Sequence, residues 1–344
     1  MLEVFFTVDV EIWCGGWKNI DAKFPKSFQQ YVYGNTARGE YGLRYQLQQL
    51  RDHGLHAVFF VEPLFATRFG IAPLAEILGL IKEYGQEVQL HMHPEWVDES
   101  LKPLLPTIRR KRPFMRDYSL QDQTTLIAAG IQLIFDAGGG PVNAFRAGSF
   151  GFNENTLAAL AANNIPFDSS YNASMLGLDS GVMPGEALFD TIEFDTLTSD
   201  TLTPVTPASS YTSANDLEAG RIIEYPMTVF NDGSGSLRHA QLGACSNWEL
   251  ENLMYKALEE QREAFVILSH NFELLNTARD NADLIMVKRF RKYCEFMANN
   301  KDKFNMRGFH DLTPKTAKQF HPVLTSSRWL TLHRTVEQIL RRRY

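Results

Sequence analysis

The sequence predicts an α/β barrel in which parallel strands alternate with helices, and three observations lead to this prediction. A buried strand, LEVFFTVDVEI, begins almost at residue 1. Strand-like apolar runs then alternate with helix-like stretches about seven times. The chain of 344 residues shows neither an internal repeat nor a low-complexity linker. One barrel with a tail therefore accounts for the length better than two separate domains.

The individual elements follow from local pattern. The strands after the first are short apolar runs, rich in Val, Ile and Phe, that end at polar residues or proline. They are LHAVFFVEP, QEVQLHMHP, PVNAFRAGSF, IPFDSSY, IIEYPMTVF, FVILSHNFE and FNMRGFHDL. The helices start at caps such as Ser119 and Asn153 or stop at glycine. They are TARGEYGLRYQLQQLRDHG, IAPLAEILGLIKEYG, SLQDQTTLIAAGIQLIFDAGG, NENTLAALAANN, NWELENLMYKALEEQREA and DLIMVKRFRKYCEFMANN.

These elements divide the chain into a barrel over residues 1–312 and a helical extension over 313–344. Residues 173–220 are rich in Ser, Thr, Pro and Asp, and we expect irregular loops there, with short strands such as FDTIEFDT, that cap the barrel. The extension ends in Arg341, Arg342 and Arg343, which suit the negative end of a helix dipole. A sharper interpretation is a basic tail that touches an acidic partner or an anionic membrane surface.

Composition excludes several classes of protein. A net charge of −6 gives no reason to expect a nucleic-acid partner. No apolar run is long enough for a transmembrane segment, and the first residues, MLEVFFTVDVEIW, lack the basic start of a signal peptide. The three cysteines are far apart and form no metal or redox motif. We therefore expect a cytoplasmic protein.

Chemically capable side chains follow five of the predicted strands at their carboxyl ends. In a parallel barrel these ends converge on one face, so we expect the side chains to meet there. They are Asp9 and Glu11, then His91, His93 and Glu95, then Arg146 and Ser149, then Asp168, and last His270, Asn271 and Glu273.

His91 and His93 are the first candidates for metal ligands. Residues two apart on a strand point to the same side, so these two imidazoles share a face, as do the carboxylates of Asp9 and Glu11. Two imidazoles and one carboxylate form a ligand set suited to zinc. The other acid of the pair can then take a proton from the attacking water.

The remaining polar residues can serve proton transfer. His270 arrives from across the barrel and could protonate a leaving amine. Asp168 could hold His270 as an imidazolium, and Arg146 could pair with the base carboxylate. Each residue alone is more often a polar turn residue, a cap or a surface ion pair. The set in this order favours a metal-dependent hydrolase.

The order of these motifs resembles the NodB-homology polysaccharide deacetylases, which form carbohydrate esterase family 4. TVDVE looks like the acidic first motif and HMHPE like the histidine-bearing second motif. RAGSFG, DSSY and LSHNFE resemble the third, fourth and fifth motifs. The resemblance covers roughly residues 3–311 and depends on five short motifs in sequence order.

The resemblance implies a distorted (β/α)7 barrel that removes an N-acetyl group from an amino sugar or glycan. It implies one divalent metal, zinc first, with iron, cobalt, nickel or manganese as alternatives. Carried over, Asp9 is the general base, His270 the general acid and His91 a metal ligand. Arg146 and Asp168 are the residues that tune the base and the acid.

This sequence departs from the family pattern at two places. Val10 separates Asp9 from Glu11, whereas the usual first motif has adjacent acids, and we expect Glu11 to be the carboxylate ligand. The usual second motif is His-x-x-x-His, but the position four after His91 is Glu95. Either His93 or Glu95 replaces the missing ligand. Two histidines on the same side of a strand favour His93.

Three functions remain open at this level. The first is a sugar N-deacetylase that acts on a cytosolic intermediate, such as a nucleotide-linked or lipid-linked sugar. The second is an allantoinase-like amidohydrolase that cleaves a C–N bond of a small metabolite on the same scaffold. The third is a non-catalytic glycan-binding relative. Retention of all five clusters counts against the third.

Overall fold

The computed structural model describes residues 1–107, 110–175, 187–197, 204–205 and 220–341. Within these ranges the strands are short, apart from the first and the thirteenth. They are β1 (Leu2–Val10), β2 (Asn35–Thr36), β3 (Gly39–Glu40), β4 (Val58–Val61), β5 (Glu87–Met92), β6 (Ala144–Ala147), β7 (Phe167–Asp168), β8 (Ile192–Asp195), β9 (Pro204–Val205), β10 (Arg221–Glu224), β11 (Val229–Asn231), β12 (Leu237–His239), β13 (Ala264–His270), β14 (Phe304–Met306) and β15 (Leu324–Thr325).

The α-helices of the described ranges alternate with the central strands, as the sequence predicts. They are α1 (Ile20–Phe28), α2 (Leu43–Asp52), α3 (Ala66–Phe69), α4 (Ile71–Glu83), α5 (Leu120–Asp136), α6 (Glu154–Ala162), α7 (Asn247–Glu259), α8 (Leu284–Asn299) and α9 (Arg328–Arg341). Ser119 and Asn153 accept hydrogen bonds from the first turns of α5 and α6, which confirms both predicted caps.

The sheet has the strand order β13-β1-β4-β5-β6-β7-β10, and every neighbouring pair in this run is parallel. β8 and β9 extend the sheet beyond β10 as antiparallel strands. Seven parallel strands, with α-helices of the described residues between all consecutive ones except β7 and β10, confirm the predicted distorted (β/α)7 barrel. The strand β1 is buried along its whole length, because the barrel interior covers one face and helices cover the other.

The alternation of side chains along β1 determines what reaches the barrel mouth. Phe5 packs inside the barrel with Phe60, Phe167 and Phe309, whereas Phe6 packs outward against the helices. Side chains of the same parity as Phe5 therefore face the interior. Along β1 these are Thr7 and Asp9, and Glu11 follows at the carboxyl end.

The barrel closes irregularly between β10 and β13. The sequence pattern IIEYPMTVF predicts one strand, but the structure has two, β10 and β11, with Pro226 between them. Proline has no N–H to donate to a sheet ladder, so the strand breaks there. The following segment completes the wall, since Leu268 donates to Ala240 O at 2.9 Å and accepts from Leu242 N at 2.9 Å.

One further expectation differs from the structure, and another is only partly covered by the described residues. The helix expected from Thr36 begins only at Leu43, because β2 and β3 form a hairpin over residues 35–40. The predicted cap over 173–220 lies mostly outside the described residues. Its described parts include β8, which joins the sheet beside β10.

The C-terminal helix α9 packs on the barrel through charged residues. Arg334 is buried and donates to Glu249 Oε1 at 2.8 Å and to Asp232 Oδ2 at 3.2 Å. The first arginine of the predicted basic tail, Arg341, pairs with Asp283. Arg342 and Arg343 lie outside the described residues, so contact of this tail with a membrane stays a prediction. Among the described residues, no helix is long and apolar enough to cross a membrane.

We expect Arg334→Met to lower the free energy of unfolding by about 3 kcal/mol, because Glu249 is fully buried and would lose its cation. Urea denaturation followed by circular dichroism measures this change. Arg328→Met, at an exposed arginine of the same helix, should change the free energy by only about 0.5 kcal/mol. Equal losses in the two variants would contradict the buried pair.

Candidate metal centre and acid–base site

A cavity of about 300 Å³ opens at the carboxyl ends of the parallel strands. The sequence-predicted residues Asp9, Glu11, His93 and His270 line it together with Glu95. A larger cavity of about 520 Å³ lies at the opposite end of the barrel, beside Glu87. The carboxylate of Glu87 already accepts two backbone N–H groups there. The cavity at the carboxyl ends is the one that the sequence-predicted site residues line.

Glu11, His91 and His93 form a compact group of ligand atoms in this cavity. The Nε2 atoms of His91 and His93 lie 3.2 and 2.9 Å from Glu11 Oε1. All three residues are buried, and their ligand atoms lie within 4.8 Å of one another. The structure thus brings together the three residues that the sequence predicts as metal ligands.

The Nδ1 atoms of the two histidines, on the far side of each ring from Glu11, each lie next to an acceptor oxygen. His91 Nδ1 lies 2.9 Å from the carbonyl oxygen of Arg146, and His93 Nδ1 lies 3.3 Å from Glu95 Oε2. Such outer acceptors fix an imidazole so that Nε2 faces a metal. This geometry puts Glu95 behind His93 rather than among the ligand atoms. Gly148 leaves room for the ring, since a Cβ there would lie 2.6 Å from His93 Nδ1.

Glu11 is held as a carboxylate. Burial opposes its ionisation, but the His93 and His91 imidazoles outweigh that cost and hold the pKa of Glu11 well below its usual value. Trp13 Nε1 donates to Glu11 Oε2 at 2.6 Å, which leaves Oε1 for the two histidines. Two imidazole nitrogens and one carboxylate oxygen match the ligand set of a catalytic zinc site.

Asp9 lies beside this group, with its Oδ2 3.9 Å from His91 Nε2, and Arg146 holds its other oxygen. The guanidinium Nη1 donates to Asp9 Oδ1 at 2.7 Å and to Thr7 Oγ1 at 2.8 Å. Arg146 is fully buried, and its Nε and Nη2 donate to the backbone and hydroxyl oxygens of Ser169 at 3.0 Å each. This predicted pair of arginine and base carboxylate is therefore present.

His270 lies directly opposite Asp9 in the register of β1 and β13. Its Nδ1 lies 3.0 Å from Glu273 Oε2. Burial disfavours the charged imidazole, but the hydrogen bond and the negative charge of Glu273 outweigh it and raise the pKa of His270 to about 9. The imidazole is therefore protonated at neutral pH, as a proton donor needs to be.

The expectation that Asp168 holds His270 is wrong for direct contact. Asp168 Oδ1 accepts from Ser170 Oγ at 2.6 Å, and Asp168 is paired with Glu224 in the strand register. Burial raises the pKa of Asp168 to about 6. Burial and the charge of Asp168 raise the pKa of Glu224 well above its usual value. The buried charge of Asp168 thus disfavours the ionisation of Glu224 inside the barrel wall.

Sequence reasoning missed the contacts of Trp13, Glu224 and Glu273. Glu224 follows directly on an apolar run. An acid in such a position indicates a buried carboxyl that needs a partner. Glu273 follows His270 by three residues in a turn, where spacing alone cannot tell a partner from a surface acid.

The backbone beside the site is strained. Ser149 and Phe150, in the loop after β6, both adopt left-handed conformations, with φ of 52° and 56°. Such conformations cost free energy in residues other than glycine and concentrate at functional sites. Ser149 and Phe150 both line the cavity.

No protein-family profile and no curated protein matches this sequence. Solved structures do match it. A Mycobacterium smegmatis protein, provisionally assigned as a polysaccharide deacetylase, is 16% identical with a TM-score of 0.52, over 89% of this chain and 87% of that one. The chain has the polysaccharide-deacetylase fold. The fold that the order of motifs implies is thereby confirmed.

Two further matches have lower structural similarity. A family 4 carbohydrate esterase from Streptomyces lividans, in complex with acetate, is 13% identical over 91% of this chain and 97% of that one, with a TM-score of 0.41. A family 4 pseudoenzyme from Bacillus anthracis is 11% identical over 85% and 61%, with a TM-score of 0.33. Neither match bears on the activity of this chain.

We expect His93→Ala to lower zinc affinity by about 10³-fold or more, because it removes one of three ligand atoms. Glu95→Gln should keep the metal with an affinity loss of about tenfold, as for an outer partner. Isothermal titration of the metal-free variants with zinc chloride measures both effects. Metal loss in Glu95→Gln together with retention in His93→Ala would assign Glu95 as the ligand.

Proposed function

We propose that this protein is a metal-dependent carbohydrate N-deacetylase, a hydrolase acting on C–N bonds other than peptide bonds. One observation carries the proposal. A group of two imidazoles and a carboxylate lies in the same cavity as a second carboxylate, Asp9, and a third imidazole, His270. Metal-assisted hydrolysis of an amide needs these three parts together.

Glu11, His91 and His93 would hold one divalent metal. Zinc suits this ligand set best, and iron, cobalt, nickel and manganese are alternatives. When bound, the metal polarises the acyl carbonyl and lowers the pKa of the attacking water.

The protein residues move the protons. Asp9 takes a proton from the attacking water, while Arg146 holds Asp9 Oδ1 and directs the other oxygen toward the cavity. His270 then gives its proton to the departing amine nitrogen. A backbone N–H beside the strained Ser149 and Phe150 loop would steady the developing oxyanion. The products are acetate and the free amino sugar.

The substrate we propose is an N-acetylated amino sugar or a glycan intermediate. A cavity of about 300 Å³ is at the small end of ligand sites, which suits one acylated sugar residue at the reacting centre. An amidohydrolase of a small C–N compound, similar to allantoinase, could use the same metal and proton donors. We favour the deacetylase because the fold is shared with a protein assigned to that class.

Acetate release tests the proposal. The protein is stripped with a chelator, reloaded with zinc and incubated with N-acetylglucosamine oligomers, with UDP-N-acetylglucosamine or with allantoin. We expect acetate from an N-acetylated probe only after zinc is restored. Hydrolysis of allantoin alone would favour the amidohydrolase, and no hydrolysis of any probe would favour a glycan-binding protein.

We expect Asp9→Asn and His270→Ala each to reduce turnover by at least about 10², because each removes one proton-transfer step. Initial rates of acetate release measure the loss. Circular dichroism and zinc content should match those of the wild-type protein. Near-normal turnover in either folded variant would contradict the assigned role.

A further inference from the structure

His270, the proposed proton donor, is held by Glu273, a residue of the same fifth motif to which the mechanism above gives no role. Glu273 lies on the turn after β13, and its Oε2 is 3.0 Å from His270 Nδ1. The side chain of Glu273 is only 9% exposed. Because Nδ1 is engaged, Nε2 is the nitrogen left to give a proton in the cavity.

Glu273 is itself fixed by a short turn, residues 241–244, which we call the 241–244 turn. Gln241 Nε2 donates to Oε1 and Oε2 of Glu273 at 3.3 and 3.2 Å. At Gly243 a Cβ would lie 1.6 Å from Glu273 Oε1, so only glycine leaves room for the carboxylate.

The C-terminal helix α9 braces this turn from the other side. Arg341 Nη1 donates to the carbonyl oxygen of Gly243 at 3.0 Å. Gln338 Nε2, one turn earlier in α9, donates to the carbonyl oxygen of Ala244 at 3.1 Å. A continuous set of contacts thus runs from α9 through the turn and Glu273 to His270.

We propose that Glu273 is the positioning residue of the proton donor His270, and that the 241–244 turn, braced by α9, fixes Glu273 in place. This inference rests on the proposed deacetylase function. A carboxylate on Nδ1 fixes the tautomer and the orientation of an imidazole and stabilises its protonated form. Glu273 takes the part that the sequence suggested for Asp168, and the C-terminal extension becomes part of the catalytic apparatus.

Two probes with different leaving groups separate this role from a general structural one. An N-acetylglucosamine oligomer needs a protonated amine leaving group. The aryl ester 4-nitrophenyl acetate releases a phenolate that needs no proton. Loss of His270 positioning should therefore affect amide cleavage and spare ester cleavage.

We expect Glu273→Gln and Gly243→Ala each to lower kcat for the oligomer by at least about tenfold, with KM and the ester rate hardly changed. Arg341→Met should cause a smaller loss with the same selectivity. Gly79→Ala, at a glycine of α4 with open space around it, and Glu83→Gln, at an exposed acid, are the matched controls. Zinc content is measured in every variant.

A second measurement does not depend on activity. With histidines labelled by ¹⁵N, the hydrogen-bonded Nδ1–H of His270 should give a downfield proton signal in the wild-type protein. Both Glu273→Gln and Gly243→Ala should move this signal upfield or abolish it. A signal that persists unchanged in both variants would overturn the proposal, whatever the substrate proves to be.

The kinetic outcomes keep the two proposals distinct. Equal losses of amide and ester cleavage in Glu273→Gln, or an unchanged oligomer rate, would overturn the positioning role and leave the deacetylase function intact. A wild-type protein that releases no acetate from any N-acetylated probe would contradict the deacetylase function, and the His270 signal would then decide the positioning role.

Discussion

The contact of Glu11 with two imidazoles is the interaction on which the candidate site depends. Glu11 is buried two residues after Asp9, so two carboxylates leave the same strand with little access to water. Such a pair requires a favourable polar partner for each member. The guanidinium of Arg146 pairs with Asp9, while the Nε2 atoms of His91 and His93 lie against Glu11. This arrangement supports the roles proposed for the two carboxylates, proton transfer for Asp9 and metal binding for Glu11.

The barrel supplies this arrangement through strand register. Asp9 is opposite His270, and His91 is opposite Arg146, so two pairs of neighbouring strands each place two functional groups side by side. The fold was predictable because the sequences of buried parallel strands are continuous runs of apolar residues. The irregular wall after β10 was not predictable from the sequence. Pro226 breaks the strand there, although the apolar pattern continues on both sides of the proline.

The candidate site was predictable only in part, because sequence pattern locates side chains on strands but not the contacts made through turns or between strands. Asp9, Glu11, His91 and His93 meet because residues two apart on a strand share a face. The role expected for Asp168 was wrong because the orientation of its side chain depends on pairing with Glu224 on the neighbouring strand. Glu273 and Gly243 lie on turns, and the periodicity of apolar residues does not predict the geometry of turns. Local sequence pattern thus located the functional side chains on strands, whereas tertiary packing determines which residue holds His270.

The metal content of the wild-type protein tests the central claim most directly. Elemental mass spectrometry is applied to protein purified without a histidine tag and without added metal, and again after dialysis against zinc, iron, cobalt, nickel and manganese salts. The arrangement of Glu11, His91 and His93 predicts about one equivalent of a divalent metal per chain. A protein that holds none, even after dialysis, would contradict the metal centre and the hydrolase mechanism with it.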